Sequence, residues 1–183
     1  MKAFFLAGAT LGLCAGASAN AATLTIGGSL ARSCYEAAEA RTATAQTLDV
    51  CNRALTEEGL LDVDRVATHV NRGILRLVNR EFQLADADFD RALAINPNQP
   101  EAWLNKGVSR LRQGDSAAAV PMIARAIELK TTRPALAFYT RGIAYEDRGD
   151  VKSAYADLVR ARELEPRWDL PAKELARYQV RRR

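Results

Sequence analysis

The chain has very little of the chemistry that enzymes use. Histidine occurs once, at His69, and cysteine only three times, at Cys14, Cys34 and Cys51. The sequence contains no glycine-rich phosphate loop, no nucleophile elbow and no HExxH pair. His69 has no second histidine or cysteine at a spacing that would hold a metal ion. We therefore predict no catalytic residue, no metal site and no cofactor. An enzyme or a metal-binding protein is the alternative that this composition favours least.

Long apolar runs are also scarce, and the main one lies at the N-terminus. Residues 4–17 are apolar or small, follow Lys2, and precede two overlapping A-x-A sequences within residues 17–21. The run is too short to span a membrane, and this order of features is typical of a cleavable secretory signal. We predict a signal peptide over residues 1–21 and no transmembrane segment in the mature chain.

This leader implies that the mature protein is periplasmic or secreted. A flexible lead-in is expected over residues 22–29. A lipoprotein acylated at Cys14 is the less favoured alternative, because Leu13 is not the small residue expected before such a cysteine. Nucleic acid is not expected as a partner in that compartment.

Charge is nearly balanced, with a formal net charge of +4 at pH 7. The acidic stretch D-A-D-F-D at 86–90 lacks the glycine and the distal glutamate of a calcium loop. We interpret it as the solvated face of a helix. The basic run 181–183 is expected to be a solvated end, with an anionic lipid or an acidic partner as alternative contacts.

Internal repetition is what the sequence has in abundance. Gly73 and Gly107 are 34 residues apart (107 − 73), and Gly142 follows 35 residues later (142 − 107). Behind each glycine the same residue types return at the same offsets: Ala85, Ala119 and Ala154, then Phe89, Ile123 and Leu158, then Ala92, Ala126 and Ala161. Repetition at this period predicts a solenoid of stacked units.

Each unit is predicted to be a helical hairpin. Val66, Val70, Ile74 and Leu77 recur at helical spacing in the first half of the first unit. The second half has its own apolar face and ends at Asn96-Pro97, where the proline stops the helix. The glycine and alanine columns supply the small residues that two crossing helices need. The expected fold is an all-α, right-handed α-solenoid.

The repeats resemble the tetratricopeptide repeat family, whose pattern is W-x2-L-G-x2-Y, then A-x3-F, then P. Its marks here include Trp103, Lys106-Gly107, Ala119-x3-Ile123 and, in the third unit, Phe138, Arg141-Gly142, Tyr145 and Pro166. The departures are basic residues in the leucine column (Arg72, Lys106, Arg141), Arg76 and Arg110 in the tyrosine column, and Thr131 in a proline position. The likeness is closest to small exported repeat proteins of Gram-negative bacteria.

The resemblance divides the chain into units of similar length. Repeats are expected over residues 66–99, 100–134 and 135–168, preceded by a degenerate hairpin over 30–65. The loop at 56–64 is expected to be longer than the other inter-repeat turns. Residues 169–183 would form a capping helix, placed at 172–180, and the basic tail.

Cys34 and Cys51 remain as a pair once the leader is removed, and an even pair in an exported chain favours a disulfide. By resemblance, Cys51 falls in the column of Phe89, and Cys34 in the column of Arg72. In the family these columns face each other within one hairpin. A bond there would stabilise the fold by about 3 kcal/mol. Two buried free thiols are the alternative.

The same alignment of repeats places a base opposite an acid in two hairpins. Arg72 and Arg141 precede the repeat glycines, and Asp88 and Asp157 follow each of them by 16 residues. We expect these pairs to hold helix to helix. In the second unit Met122 occupies the acid position opposite Lys106, so no equivalent pair is expected there.

In such solenoids, binding takes place on the concave face formed by the first helix of each repeat. The resemblance implies a groove with Asn71 and Asn105 as its peptide-binding amides, and with these other residues: Val70, Ile74, Leu77, Leu104, Val108, Leu111, Tyr139, Thr140, Ile143 and Glu146. The lysines that clamp acidic C-termini in chaperone-binding relatives are absent. The residues present suit an amphipathic helix or an apolar extended segment.

Two other interpretations of this apolar stripe stay open. It can be inter-repeat core, or the C-terminal tail of the chain can fill it. The leading hypothesis is a non-enzymatic scaffold that binds an unidentified protein partner in the groove. The alternative is a structural protein of the cell envelope that forms homo-oligomers through the same apolar surface.

Overall fold

The structure, a computed structural model, describes residues 29–178. Within this range the chain forms nine α-helices and no strand, so the all-α expectation is confirmed. No helix of the range is long and apolar enough to cross a membrane. The expected signal peptide with Cys14, the lead-in up to residue 28 and the basic run 181–183 all lie outside the described residues.

The nine helices form four antiparallel hairpins and one short closing helix. Their bounds are α1 Ser29–Glu39 and α2 Ala45–Glu57, α3 Asp62–Val78 and α4 Phe82–Ile95, α5 Pro100–Arg112 and α6 Ser116–Glu128, α7 Pro134–Asp147 and α8 Val151–Leu164, and α9 Asp169–Leu175. Each helix packs on its neighbours in sequence, and α1, α3, α5 and α7 also contact one another in that order. The first helices of the hairpins therefore form one continuous wall.

Small residues let the two helices of each repeat approach closely. Ala85, Ala119 and Ala154 on the second helices are fully buried. A Cβ atom on Gly107 would lie only 2.5 Å from Ile123 Cγ1 of the facing helix. The residues four positions after the alanines, Phe89, Ile123 and Leu158, are fully buried against these crossings. The repeat marks seen in the sequence are thus the contacts that hold each hairpin together.

The turns inside the three repeats share one backbone conformation. Gly114 and Gly149 have φ angles of +81° and +77°, in the left-handed region where glycine is favoured. Arg80 takes the same place in the first repeat, with a φ angle of +64°. The turn therefore has a similar backbone conformation in the first repeat, where an arginine replaces the glycine.

The N-terminal hairpin contains the predicted disulfide. Cys34 of α1 and Cys51 of α2 are bonded, with their Cα atoms 4.9 Å apart, and both are fully buried. They pack with Ala38 of α1 and Leu75 of α3. The side chain of Glu58 accepts hydrogen bonds from the backbone N–H groups of Leu30 and Ala31, which caps the start of α1.

Two expected boundaries are wrong. The loop after α2 is not longer than its counterparts, because α2 continues to Glu57 and only residues 58–61 separate it from α3, as residues 96–99 separate α4 from α5. The closing helix begins at Asp169 and ends at Leu175 rather than covering 172–180. Pro171 falls in its first turn, where a missing N–H costs nothing.

The acidic stretch of α4 is not a solvated face, which corrects the sequence interpretation. Asp88 is fully buried and Asp86 nearly so, and only Asp90 is exposed. Asp88 accepts hydrogen bonds from Arg72 and Arg76 of α3, whereas Asp86 and Asp90 pair with Arg110 and Lys106 of α5. The carboxylates of α4 thus bind the helices on either side of it.

The second predicted ion pair is also present. Arg141 and Asp157 form two hydrogen bonds of 2.7 and 2.9 Å between α7 and α8. The Arg141 guanidinium lies 5.4 Å from the ring centre of Phe138 and 5.8 Å from that of Tyr145. Both rings therefore add cation–π attraction to the ion pair.

Candidate binding groove

A cavity of about 1040 Å³ runs along the inner wall of the solenoid. The C-terminal ends of α3 and α5 and the whole length of α7 form its floor. Residues 38–41 close one end, and the α8–α9 turn with α9 closes the other. In volume it matches the upper range of small-ligand sites, and its open, elongated lining suits a peptide segment.

Most of the groove residues implied by the sequence do line this cavity. Nine of the twelve expected residues lie there: Ile74, Leu77, Asn105, Val108, Leu111, Tyr139, Thr140, Ile143 and Glu146. Their side chains are buried or half-buried, so the apolar stripe is shared between the inter-repeat core and the groove.

Three of the expected residues do not line the cavity. Val70 is buried in a cluster with Val66, Ala92 and Ala102, and Leu104 is buried in the core between the second and third repeats. Asn71 is half-buried but is not part of the lining. The groove therefore begins about one helical turn further along α3, at Ile74 rather than Val70, and one residue further along α5, at Asn105 rather than Leu104.

Two polar side chains of the groove are hydrogen-bonded to the backbone of their own helices. The Asn105 Nδ2 donates a hydrogen bond of 2.8 Å to the carbonyl oxygen of Glu101. The hydroxyl of Thr140 donates a bond of the same length to the carbonyl oxygen of Leu136. Part of the capacity of Asn105 to hold a ligand backbone is thus used within α5.

The residues that form the C-terminal wall of the groove were not predicted from the sequence. Trp168, in the α8–α9 turn, packs on Tyr139 with ring centres 4.8 Å apart. Arg177, just beyond α9, forms a salt bridge of 2.7 Å with Glu146 of α7. These residues close one end of the groove, and the last residues of the tail, 179–183, lie outside the described residues.

Burial and nearby carboxylates act together on two tyrosines at the C-terminal wall. Burial raises the pKa of Tyr139, and the charges of Glu174 and Glu146 raise it further against the opposing effect of Arg177. Burial and the same two carboxylates raise the pKa of Tyr178. In both tyrosines the charge of the carboxylates raises the pKa, and the opposing effect of Arg177 is smaller than the combined effect of burial and the carboxylates.

One buried cluster of titratable groups lies outside the groove, around Asp88. Around the buried Asp88 carboxylate stand Arg72, Arg76, Arg91 and His69, the last with its Nδ1 3.4 Å away. Burial would raise the pKa of Asp88, but the hydrogen bonds from His69 and Arg72 and the charges of Arg72 and Arg76 hold it below its usual value. The only histidine therefore lies beside an ion pair that holds α3 to α4.

Comparison with known proteins points to one repeat family. The profile described as "Tetratricopeptide repeat" matches residues 70–134 and 107–166. No curated protein is similar enough to the chain to count as a match.

Solved structures share the fold at low sequence identity. MamA of Desulfovibrio magneticus RS-1, from its residue 41 to the end, is 19% identical, with a TM-score of 0.62 over 81% of this chain and 82% of that one. A double mutant of MamA RS-1 is 20% identical, with a TM-score of 0.65 over the same shares of the two chains. YrrB, described as a TPR protein with an unusual peptide-binding site, is 22% identical, with a TM-score of 0.60 over 76% of this chain and 68% of that one. At these identities the likeness concerns the fold.

Proposed function

Because the chain belongs to the tetratricopeptide repeat family, we propose that it is a non-enzymatic scaffold that binds a segment of another protein in the groove along α3, α5 and α7. The observation that carries this proposal is the cavity of about 1040 Å³ on the wall formed by the first helices. A groove of this kind suits an amphipathic helix or an extended apolar segment. The solved neighbour YrrB, by its own description, has a peptide-binding site.

The side chains of the groove favour an apolar segment. Ile74, Val108, Leu111 and Ile143 present half-buried apolar surface to the cavity, and Val78 is exposed at its edge. Covering such surface contributes roughly 25 cal/mol per Å² of apolar area removed from water. Backbone groups of the bound segment would then pair with the remaining hydrogen-bonding capacity of Asn105.

A selection from a displayed dodecamer library tests this function directly. Peptides that bind the wild-type protein should be rich in apolar residues and should compete with one another for one site. Val78→Lys should weaken the selected peptides about tenfold, because it replaces apolar contact at the groove edge by a charge. Val108→Thr, which keeps the shape of the side chain, should weaken them as well.

Ile95→Lys is the matched control for Val78→Lys. Ile95 is also an exposed apolar residue at the end of a helix, but it does not line the cavity. Unchanged binding by this variant with weakened binding by Val78→Lys supports the groove. A library that yields no specific binder, or binders that Val78→Lys and Val108→Thr leave unaffected, contradicts the proposed function.

Light scattering after size exclusion separates a scaffold from a homo-oligomer. A scaffold with an open groove should elute as a monomer that binds the selected peptides. A concentration-independent dimer in which Val108 is protected from solvent would contradict the open groove. Leu104 cannot take part in such an interface, because it is 1% exposed within one chain.

We also propose that the protein is exported to an oxidising compartment, either the periplasm or the exterior of the cell. The support is the leader-like sequence over residues 1–21 and the disulfide between Cys34 and Cys51. Intact mass measured on protein from its native host should show cleavage after residue 19 or 21. A mass that includes the leader contradicts export by cleavage, and an acylated N-terminal Cys14 would identify the lipoprotein instead.

A further inference from the structure

Charge is unevenly distributed along the groove. Of the five carboxylates that line the cavity, four come from the end of α7 and the segment after α8: Glu146, Asp147, Glu165 and Glu174. Among the described residues, 29–178, only Arg177 offers a positive charge in that part of the lining, since the other lining cations belong to the α1–α2 turn, to α5 and to the residue before α7: Arg41, Arg112 and Arg133. One end of the groove is therefore anionic.

Aromatic rings lie beside these carboxylates. Tyr139 and Trp168 are half-buried, pack on each other and line the cavity together with Glu146 and Glu174. Tyrosine and tryptophan faces attract cations, and nearby carboxylates add charge-assisted hydrogen bonds. The side chains at this end are those that recognise a cationic group.

We propose that this end of the groove is a subsite for a lysine or arginine side chain of the bound segment. The inference rests on the proposed function, and it specifies the partner as an apolar segment that carries a basic residue at one end. In the free protein Arg177 occupies the position, bridging Glu146 and Glu174. The cation of the partner replaces it when the segment binds.

The exposures of the three side chains fit such a replacement. The Arg177 side chain is 62% exposed, whereas those of Glu146 and Glu174 are 26% and 22% exposed. An ion pair with one exposed member is weak and is easily exchanged. The carboxylates of Glu146 and Glu174 are thus mostly buried, whereas the Arg177 side chain that pairs with them is mostly exposed to solvent.

The first test compares library selections. Displayed dodecamers selected on the wild-type protein should be enriched in lysine or arginine at one position relative to their apolar residues. On the double variant Glu146→Gln/Glu174→Gln, apolar binders should still emerge without that enrichment. Replacing the basic residue of a selected peptide by glutamine should weaken binding to the wild type about tenfold and leave binding to the double variant nearly unchanged.

The Arg177→Gln variant supplies a test with the opposite sign. Removing the resident cation should strengthen binding of the basic peptide and leave its glutamine counterpart unaffected, an outcome that a folding defect would not produce. Arg160→Gln is the matched control, because Arg160 also forms an i,i+3 pair with a glutamate, Glu163, but does not line the groove. Its binding should equal that of the wild type.

The outcomes separate this inference from the proposed function. If no peptide binds, the proposed function fails and the inference fails with it. If apolar peptides bind the groove without basic enrichment, or if Arg177→Gln weakens the basic peptide, the function stands and the cationic subsite is refuted.

Discussion

Gly73 of α3 lies directly against the ring of Phe89 of α4: a Cβ atom on the glycine would be 2.5 Å from Phe89 Cε1. The ring is fully buried, and close packing in protein interiors resists its displacement. Gly142 is less confined, since its added Cβ would lie 3.2 Å from Leu158 Cγ. The glycine that recurs in the sequence thus sets the distance between the helices of each hairpin, most tightly in the first two repeats.

Gly73→Ala should therefore destabilise the protein more than Gly142→Ala. Overpacking costs about 1–3 kcal/mol, and alanine returns about 1 kcal/mol through its helix propensity. For Gly73 the clash should outweigh the gain, whereas for Gly142 the two should nearly cancel. Urea unfolding followed by circular dichroism measures the difference. Equal effects of the two substitutions would contradict the close approach at Gly73.

Asp88→Asn should be among the most damaging single substitutions in the chain. It leaves the guanidinium groups of Arg72 and Arg76 largely buried without their carboxylate, and breaking one side of a buried ion pair costs about 3–5 kcal/mol. Asp90→Asn on the same helix is the comparison: its partner Lys106 is 15% exposed, but the Asp90 side chain is 57% exposed and partly solvated, so this substitution should cost less than Asp88→Asn. Thermal unfolding of the two variants provides the comparison.

The same carboxylate gives the stability a defined pH dependence. Because the pKa of Asp88 is lowered in the folded protein, its contribution is fully present above the pKa of an unfolded aspartate, about 4. It is lost as the pH falls through the lower, folded value. The free energy of unfolding of the wild type should therefore approach that of Asp88→Asn in acid. A constant difference between pH 7 and pH 3 would contradict this role.

The architecture could be predicted from the sequence because its determinants are local and repeated. The recurring glycines, alanines and large apolar residues each mark one contact within a hairpin. That contact occurs at the same offset in all three repeats. The pair of Arg72 and Asp88 could be predicted because it recurs in the third repeat, whereas the acidic stretch of α4 as a whole was misinterpreted because other partners lie in the next repeat: Arg110 follows Asp86 by 24 residues (110 − 86). Periodicity within one helix cannot distinguish a carboxylate facing water from one facing a neighbouring arginine.

The helices that line the groove could be predicted from the sequence, but the residues at its two ends could not. Val70 and Ile74 share one face of α3, yet Val70 is core and Ile74 lines the cavity. Val70 packs on Ala92 of α4 and Ala102 of α5, a contact that the periodicity within α3 does not show. The contact between Trp168 and Tyr139 depends on where the chain turns after α8, a property of the closing segment rather than of the repeat pattern.

Reduction of the Cys34–Cys51 bond should loosen the N-terminal hairpin before the rest of the solenoid. Removing a cross-link between residues 17 apart in sequence should lower the free energy of unfolding by about 3 kcal/mol. Hydrogen exchange should speed up first in α1 and α2, while α7 and α8 stay protected. The Cys34→Ser/Cys51→Ser variant should match the reduced wild type. Two titratable thiols in unreduced, denatured protein would show that no bond exists.

Thr131→Pro should destabilise the protein although it restores the family pattern. At the ends of α4 and α8 the residues before the prolines, Asn96 and Glu165, have φ angles of −131° and −139° and ψ angles of 95° and 75°, outside the helical region that a following proline disfavours. In the second repeat Lys130 instead has a φ angle of +59°, and the Thr131 N–H donates to the carbonyl oxygen of Ala126.

A proline at position 131 would remove that hydrogen bond and disfavour the conformation of Lys130. It would also remove the hydroxyl that bonds to Glu101 of α5. The expected loss is about 2–3 kcal/mol, because a buried hydrogen bond and a compatible backbone are lost together. Thr131→Ala, which removes only the hydroxyl, should cost less than half of this loss. If the proline variant is as stable in urea as the wild type, the left-handed conformation of Lys130 is not required. The second repeat could then end as its neighbours do.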